Sequence, residues 1–226
     1  MLLVIPDVLD PQALSEARER LGRADWRDGR ETAGYAAAGR KTNEQLRADD
    51  AVAAALGQRI LDALSRDARF VSFVLPQKIL SPMFNRYRGG GEYGFHIDNA
   101  IRVDPLTGQR IRADVSTTVF LNGPDEYEGG ELLIEGTYGA EALKLPAGHA
   151  VAYPGSSLHR VAPVTRGERL ASFFWTQSMV GDDAQRALLY ELDTAIQALA
   201  RRPENADEVV RLTGVYHNLV RRWAQT

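Results

Sequence analysis

Apolar residues in the first third of the chain recur at helical spacing on both sides of a segment that has no period. A short apolar run, residues 1–7, predicts a first strand. Asp10 and Pro11 are residue types favoured at the N-cap and first position of a helix, and a second helix is predicted from about Asp50. The inward faces of these helices carry Leu14, Ala17 and Leu21, and then Leu56, Ile60, Leu61 and Leu64.

The segment between these helices, residues 29–45, is rich in glycine and alanine and ends in the sequence GRKTNEQ. It is long for a passive connection. We therefore consider that it lines a functional site, and leave open whether it contacts a substrate.

In the middle of the chain the pattern changes to short runs rich in Val, Phe, Tyr and Thr, which are separated by Gly and Pro. Several short strands at this spacing predict an all-β sandwich or barrel, and jelly rolls fit that description. The predicted strands cover residues 83–87, 114–121, 131–134, 150–153, 158–161 and 170–175.

From Gly181 onward the apolar spacing is helical again, and it predicts a helical hairpin. Such a hairpin needs a partner for its apolar face, either the β domain or a second subunit of a homo-oligomer. The apolar positions are Leu188, Leu189, Leu192, Ile196 and Leu199 before Pro203, and then Val209, Val210, Leu212, Leu219, Val220 and Trp223.

These three patterns predict a mainly β protein with flanking helices. Residues 1–78 form an N-terminal support region of strand and helices, residues 79–177 form the β domain, and residues 178–226 form the hairpin. A chain of 226 residues has room for one full core with modest appendages.

The composition of the chain argues against several classes of partner and of functional site. The net charge of −3 gives no basic surface, so no nucleic-acid partner is expected. The sequence has no cysteine, which excludes disulfides, zinc–thiolate sites, iron–sulfur clusters and cysteine nucleophiles. The N-terminus lacks a basic region before its apolar run, and no apolar run is long enough to span a bilayer. We expect a cytoplasmic protein without a membrane partner.

Two potential metal ligands, His96 and Asp98, are separated by one residue where a predicted strand ends. Residues i and i+2 of an extended chain point to the same face, so both side chains can reach one ion while Ile97 packs behind them. The pair alone is a weak signal, because a His and an Asp so placed are more often solvated. Glycines at 89, 90, 91 and 94 strengthen it, since they let the backbone bend close to a ligand.

The third ligand must come from one of the remaining histidines. His149 follows directly on the turn 146–148, and ten residues after it stands another histidine rather than a cation. His217 lies in a predicted helix, where a packing or surface role is expected. A lone histidine in a hairpin is usually a packing residue too, but by elimination His159 is the best candidate. Two imidazoles and one carboxylate form a facial triad, which suits Fe(II) and leaves positions open for O₂ chemistry.

Arg169 stands ten positions after His159, and we expect it to open the final strand after the turn 165–167. Arginine binds planar carboxylates in a bidentate manner. Arg169 is therefore the predicted anchor for the far carboxylate of a dicarboxylic cosubstrate such as 2-oxoglutarate, with Lys78 or Arg86 next in line.

Tyr87 and Tyr93 bracket the glycine-containing turn. Both can donate a phenol hydroxyl to a cosubstrate carboxylate, and both can equally be aromatic packing residues of a barrel. The sequence leaves the two interpretations open.

With these residues in place, the chain resembles the PKHD-type hydroxylases, a prolyl hydroxylase-like branch of the Fe(II)/2-oxoglutarate-dependent dioxygenase superfamily. The likeness covers essentially the whole chain. The segments that carry it are residues 41–46, 85–87, 96–100, 116–121, 129–132, 153–161, 173–175 and 216–219.

The resemblance implies a double-stranded β-helix (jelly-roll) core, in which His96, Asp98 and His159 bind iron and Arg169 anchors 2-oxoglutarate. It also implies that O₂ is consumed, that a substrate is hydroxylated with release of succinate and CO₂, and that L-ascorbate stimulates the reaction. The substrate, a small molecule or a protein side chain, is not identified by the resemblance. The competing interpretation is a non-catalytic cupin-like or iron-sensing jelly roll, against which the position of Arg169 argues.

One position departs from the prolyl hydroxylase pattern. Where those enzymes place a tyrosine near the tail of the cosubstrate, this sequence has Phe120. A phenylalanine cannot donate a hydrogen bond, so the cosubstrate tail is expected to depend more on Arg169. The prolyl substrate class therefore does not transfer to this chain.

Overall fold

A computed structural model describes residues 1–32, 39–136 and 139–225. The α-helices in these residues are α1 (Pro11–Gly22), α2 (Ala51–Arg66), α3 (Ala68–Val74), α4 (Asp183–Leu199) and α5 (Ala206–Trp223). The strands of the first half are β1 (Leu3–Ile5), β2 (Arg27–Asp28), β3 (Lys41–Thr42), β4 (Glu44–Gln45), β5 (Pro76–Ile79), β6 (Met83–Arg88), β7 (Glu92–His96) and β8 (Ile101–Val103). Those of the second half are β9 (Arg110–Arg112), β10 (Val115–Phe120), β11 (Tyr127–Gly129), β12 (Leu132–Gly136), β13 (Gly139–Leu143), β14 (Ala150–Pro154), β15 (His159–Val161) and β16 (Val164–Ser178).

Two antiparallel sheets form the body of the protein, which confirms the prediction of a mainly β fold with flanking helices. The large sheet has the order β1-β14-β10-β16-β6-β4-β2, and β5 and β11 also pair with β16. The small sheet has the order β13-β12-β15-β7-β3, and β8 and β9 form a separate two-stranded hairpin. Because β1 pairs with β14, the N-terminal strand is an integral part of the large sheet.

The N-terminal helices begin where the sequence predicts. The Asp10 carboxylate accepts a hydrogen bond from the Ala13 amide at 2.7 Å, and Asp50 caps α2 in the same way through the Val52 amide at 2.7 Å. Such caps satisfy amides that have no partner within the helix. The inward faces of α1 and α2 pack on the large sheet, where Leu21 and Ile60 are each 1% exposed.

The large sheet is buried on both faces. Successive side chains of a strand point to opposite faces, so each strand contributes side chains to two hydrophobic clusters, one on each face of the sheet. In β10, Val119 packs in the cluster formed with the helices, whereas its neighbour Phe120 packs in the cluster shared with the small sheet. All six residues of β10 are therefore buried.

The C-terminal hairpin docks on its own chain. Leu189 of α4 is fully buried with Leu75 and Val180, and residues of α5 pack against the same cluster. The Arg186 guanidinium donates to the Val180 carbonyl at 2.8 Å and so ties α4 to the end of the large sheet. Two of the predicted face residues lie outward instead, since Leu188 is 58% and Val210 is 71% exposed. Helical spacing gave their period but not which side meets the partner.

Two other expectations are corrected. Arg169 does not open the final strand, because β16 begins at Val164 and Gly167, with φ 72°, is accommodated within it opposite β11. Ile97 does not pack behind the His–Asp pair either, because β7 ends at His96 and the Ile97 side chain is 57% exposed. In the part of the chain that is described, every helix is too short or too polar to cross a bilayer.

The neighbours Leu188 and Leu189 provide a matched test of hairpin docking. Leu189→Ala removes a fully buried side chain and is expected to lower the free energy of unfolding by about 2–5 kcal/mol. Leu188→Ala changes an exposed residue and is expected to cost about 0.5 kcal/mol or less. Urea unfolding of both variants measures the difference. Equal effects would contradict the docked arrangement of α4.

Candidate active site

A pocket between the two sheets collects the candidate residues. The large sheet supplies its polar and aromatic wall, the small sheet supplies the opposite wall, and the chain after β7 supplies the rim. The lining residues are Asn85, Tyr87, Ser116, Thr118, Tyr153, Arg169, Phe173 and Trp175 from the large sheet, Lys41, Tyr93, His96, Leu132, His159 and Val161 from the small sheet, and Asp98 and Arg102 from the rim.

The predicted triad converges in this pocket. His96 and His159 are directly opposite each other in the pairing of β7 with β15, and their ring centroids are 4.2 Å apart. Asp98 follows β7, and its Oδ2 lies 3.9 Å from His159 Nε2. One ligand atom from each of the three residues lies within 4.8 Å of the others. This spacing fits a single divalent cation.

Backbone carbonyls fix the orientation of both imidazoles. His96 Nδ1 donates to the Gly94 carbonyl at 2.8 Å, and His159 Nδ1 donates to the Ser157 carbonyl at 3.0 Å. Since each Nδ1 carries the proton, each Nε2 keeps its lone pair for a metal. Burial, and then the neighbouring His159, lower the pKa of His96 to about 4. A neutral His96 is therefore available as a ligand at physiological pH.

The Asp98 carboxylate is the clearest sign that a cation belongs here. Its side chain is 7% exposed, and among the described residues the buried Oδ2 has no hydrogen-bond partner. An unpaired buried carboxylate is unfavourable unless a cation or a donor compensates it. The donor set of two imidazoles and one carboxylate is that of non-haem Fe(II) sites with open positions.

Arg169 is a second buried charge in the same pocket. Its side chain is 1% exposed and lies against two rings, with Cζ 5.1 Å from the centroid of Phe120 and 5.6 Å from that of Tyr87. Within the described chain, Nε and Nη1 are buried without a hydrogen-bond partner. A guanidinium in this state fits a bound anion, and a carboxylate matches its geometry.

The two tyrosines have different surroundings. Tyr87 lies opposite Arg169 in the pairing of β6 with β16, and burial raises the pKa of its phenol well above the usual range. Tyr93 stacks on His96 with a centroid distance of 3.6 Å, and burial, followed by the charge of Asp98, raises its pKa to about 12. Both phenols therefore stay protonated, and each can donate a hydrogen bond.

Comparison with known proteins decides the family. The chain is 55% identical over 226 residues to a PKHD-type hydroxylase of Parvibaculum lavamentivorans, with 100% of both chains covered. It is 57% identical to a PKHD-type hydroxylase of Xanthomonas euvesicatoria pv. vesicatoria, with 99% of both chains covered. The chain belongs to the PKHD-type hydroxylases.

Two family models match parts of the hydroxylase. The model of the 2OG-Fe(II) oxygenase superfamily matches residues 82–177, and that of the PKHD-type hydroxylase C-terminal domain matches residues 183–225. The protein is thus an enzyme, a dioxygenase that depends on Fe(II) and 2-oxoglutarate, consumes O₂ and hydroxylates a substrate that the family does not specify. The resemblance inferred from the sequence is confirmed.

Solved structures show the same fold. A prolyl hydroxylase of Trichoplax adhaerens, in complex with a peptide fragment of the hypoxia-inducible factor, matches with a TM-score of 0.56 and 17% identity, over 83% of this chain and 86% of that one. A prolyl-4-hydroxylase of Pseudomonas putida matches with a TM-score of 0.52 and 20% identity, over 78% of this chain and 92% of that one. HygX of Streptomyces hygroscopicus, with nickel, 2-oxoglutarate and hygromycin B bound, matches with a TM-score of 0.52 and 17% identity. This match covers 79% of this chain and 84% of HygX.

The alternative residues considered from the sequence lie elsewhere in the hydroxylase. His149 does not line the pocket, and its Nδ1 is 4.0 Å from Asp7 instead. Lys78 is exposed on β5, and Arg86 donates to Glu44 at 2.7 Å and covers the Trp26 ring. Gly91 has another role, since a Cβ there would be 2.8 Å from the Thr42 carbonyl of β3, so glycine at this position admits the neighbouring strand. Gly89 and Gly90, with φ of 58° and 84°, form the turn before β7.

The lining residues that were not predicted individually from the sequence include two cations and an indole. Lys41, from the segment 29–45, is 5% exposed and donates to Gln45 Oε1 at 2.8 Å. Arg102 and Trp175 stack on each other at the rim, with 3.8 Å from Cζ to the ring centroid. The signals for Lys41 were the unusual length of the segment 29–45 and the family likeness of residues 41–46. Residues 33–38 of that segment lie outside the described residues.

Proposed function

We propose that His96, Asp98 and His159 hold the Fe(II) of this hydroxylase and that Arg169 holds the distal carboxylate of 2-oxoglutarate. The observation that carries the proposal is the presence, in one pocket, of a His–Asp–His group within 4.8 Å and a buried guanidinium without an ion-pair partner in the described chain. Each of the two unpaired charges requires a ligand of opposite sign, and Fe(II) and a dicarboxylate meet both requirements.

The two walls of the pocket bind different ligands, the metal on one side and the cosubstrate carboxylate on the other. The small sheet and the rim present Nε2 of each imidazole and the Asp98 carboxylate, held by the carbonyls of Gly94 and Ser157. The large sheet presents Arg169, and the adjacent Tyr87 is positioned to donate its phenol to the same carboxylate. We assign Tyr93 to the same task of cosubstrate binding, on the side of His96.

When bound, Fe(II) and 2-oxoglutarate supply the activation of O₂ and the oxidation of a substrate C–H bond, with succinate and CO₂ as products. The chain contributes orientation and the exclusion of water. Leu132, Val161 and Phe173 give the pocket apolar patches beside the polar groups, and none of them exchanges a proton. The proposed chemistry requires no protein nucleophile.

Several finer assignments complete the proposal. The two facing sheets are taken as the two halves of a double-stranded β-helix whose central strands lie in residues 79–177. Residues 1–78 and 178–226 are taken as its supports, and β1 to β4 extend the edges of the sheets. L-Ascorbate is the expected reductant that keeps the metal in its ferrous state. Phe120 lies against Arg169 where a tyrosine would offer a further donor, which leaves more of the cosubstrate binding to the guanidinium.

The direct test is anaerobic addition of Fe(II) and then 2-oxoglutarate to the protein. We expect a weak visible charge-transfer band that requires both additions, followed by succinate and CO₂ once O₂ is admitted. A protein that binds Fe(II) but gives neither the band nor succinate would be a metal-binding jelly roll without this activity.

Alanine substitution tests the metal ligands. His96→Ala, Asp98→Ala and His159→Ala are each expected to lose stoichiometric Fe(II), because each removes one of three protein donors. Iron content after anaerobic desalting and the melting temperature measure binding and folding separately. His149→Ala is the matched control and is expected to keep its iron. Full iron retention in any of the three would remove that residue from the ligand set.

Arg169→Ala is expected to weaken 2-oxoglutarate binding. Loss of a buried charge-assisted contact costs about 2–5 kcal/mol, so the apparent affinity should fall by about two orders of magnitude or more. Titration of the charge-transfer band with 2-oxoglutarate measures the change at constant iron content. The matched control is Arg166→Ala, three residues before Arg169. It removes an exposed arginine that pairs with Glu128, and it is expected to leave the titration as in the wild type. An unchanged titration for Arg169→Ala would show that another group is the anchor.

A further inference from the structure

Arg102 is a cation at the rim of the pocket that forms no ion pair with any described residue. Strand alternation turns it inward, since its β8 neighbours Ile101 and Val103 are each 53% exposed on the other side. Its guanidinium lies over the Trp175 ring, with Cζ 3.8 Å from the centroid. In the described chain no hydrogen bond or ion pair to Arg102 is formed. Stacking therefore holds the group in place and leaves its in-plane N–H donors available.

A second cation lies in the same pocket. Lys41 is 5% exposed on β3, and its Nζ is 5.4 Å from the centroid of Tyr93. Burial, followed by the charge of Arg102, lowers the pKa of Lys41 to about 8, so the two cations share one region of electrostatic potential. At neutral pH most of the Lys41 amines remain charged.

The proposed ligands do not use these charges. Under the proposed function, the charges of Fe(II) and 2-oxoglutarate cancel, and Asp98 cancels Arg169. Of the described residues that line the pocket, Asp98 is the only acidic one. The loaded pocket therefore retains the positive charge of Arg102, which forms no ion pair with a described residue. Positive charge of this kind in a partly buried pocket favours an anionic ligand.

We propose that the substrate of this hydroxylase carries a carboxylate or phosphate group and that Arg102 binds that group, with Lys41 as a second cationic contact. The proposal rests on the function proposed above, since it assigns Arg169 to 2-oxoglutarate. Trp175 is only 5% exposed, and its indole Nε1 has no hydrogen-bond partner among the described residues, so it offers a further donor beside Arg102. A rim site of this kind selects substrates by charge and leaves the oxidation itself to the metal centre.

The test uses the small-molecule ultrafiltrate of a bacterial cell extract, separated on an anion exchanger at neutral pH. Each fraction is added to the Fe(II)-loaded enzyme with saturating carboxyl-labelled 2-oxoglutarate, and the release of labelled CO₂ above the substrate-free rate is measured. We expect stimulation by the retained, anionic fractions. Phosphatase treatment of the active fraction distinguishes the two oxyanions, because it abolishes stimulation by a phosphate ester and leaves that by a carboxylate.

Arg102→Gln should raise the amount of active fraction needed for half-maximal stimulation by about 10- to 100-fold, which corresponds to the loss of one or two charge-assisted hydrogen bonds. Arg102→Lys should recover part of the response because it keeps the charge. Arg110→Gln, on the solvent side of the same hairpin, is the matched control and should behave as the wild type. Melting temperatures of all variants report on folding.

Stimulation confined to the unretained fractions, or no stimulation by the anionic ones, would overturn the proposal. So would equal responses of the Arg102→Gln and Arg110→Gln variants, or equal losses in Arg102→Gln and Arg102→Lys, which would assign Arg102 to packing on Trp175. Failure of the proposed function is distinct from these results, because it would abolish the anaerobic band and the substrate-free CO₂ release of the wild type.

Discussion

The burial of both faces of the large sheet is the constraint on which the other features depend. Each of its central strands must present apolar residues to the helices and a different set to the small sheet, and the two-residue repeat of a strand keeps these sets apart. In β16, Leu170 and Phe174 pack toward the helices, whereas Arg169 and Phe173 face the pocket. A shift of one residue in register would bury Arg169 in the helical core and remove it from the site.

The site follows from the way the two sheets face each other. The small sheet brings His96 and His159 into direct opposition, and the large sheet brings Arg169 beside Tyr87. The pocket holds one buried carboxylate and one buried guanidinium, and Asp98 and Arg169 have no ion pair with each other in the described structure. Such an arrangement costs stability in the free protein and is compensated when ligands of opposite charge bind. The charges of Asp98 and Arg169 therefore indicate the function more clearly than the shape of the pocket does.

Much of this was predictable because it depends on local chemistry. Asp10 and Asp50 precede helices as caps, and the spacing of His96 and Asp98 at a strand end brings both side chains into one cluster of potential metal ligands. The start of β16 at Val164 was not predictable, since Gly167 is a turn residue by its type and becomes part of a strand only because β11 pairs with it. The prediction that Leu188 faces a partner was wrong for a similar reason. The helical period does not reveal which side of a helix packs on its neighbour.

By itself the sequence determined the mainly β class, the helical caps and the family, and it singled out His96, Asp98, His159 and Arg169, which the fold brings into one pocket. These depend on residue type and on spacing along the chain, both of which are present before folding. Only the tertiary structure decided that Lys41 and Arg102 line the same pocket, that Ile97 faces solvent, and that His149 lies away from the His–Asp–His group. The physical reason is that strands distant in sequence are brought together by sheet pairing, and side chains on them become neighbours without any periodic signal to indicate it.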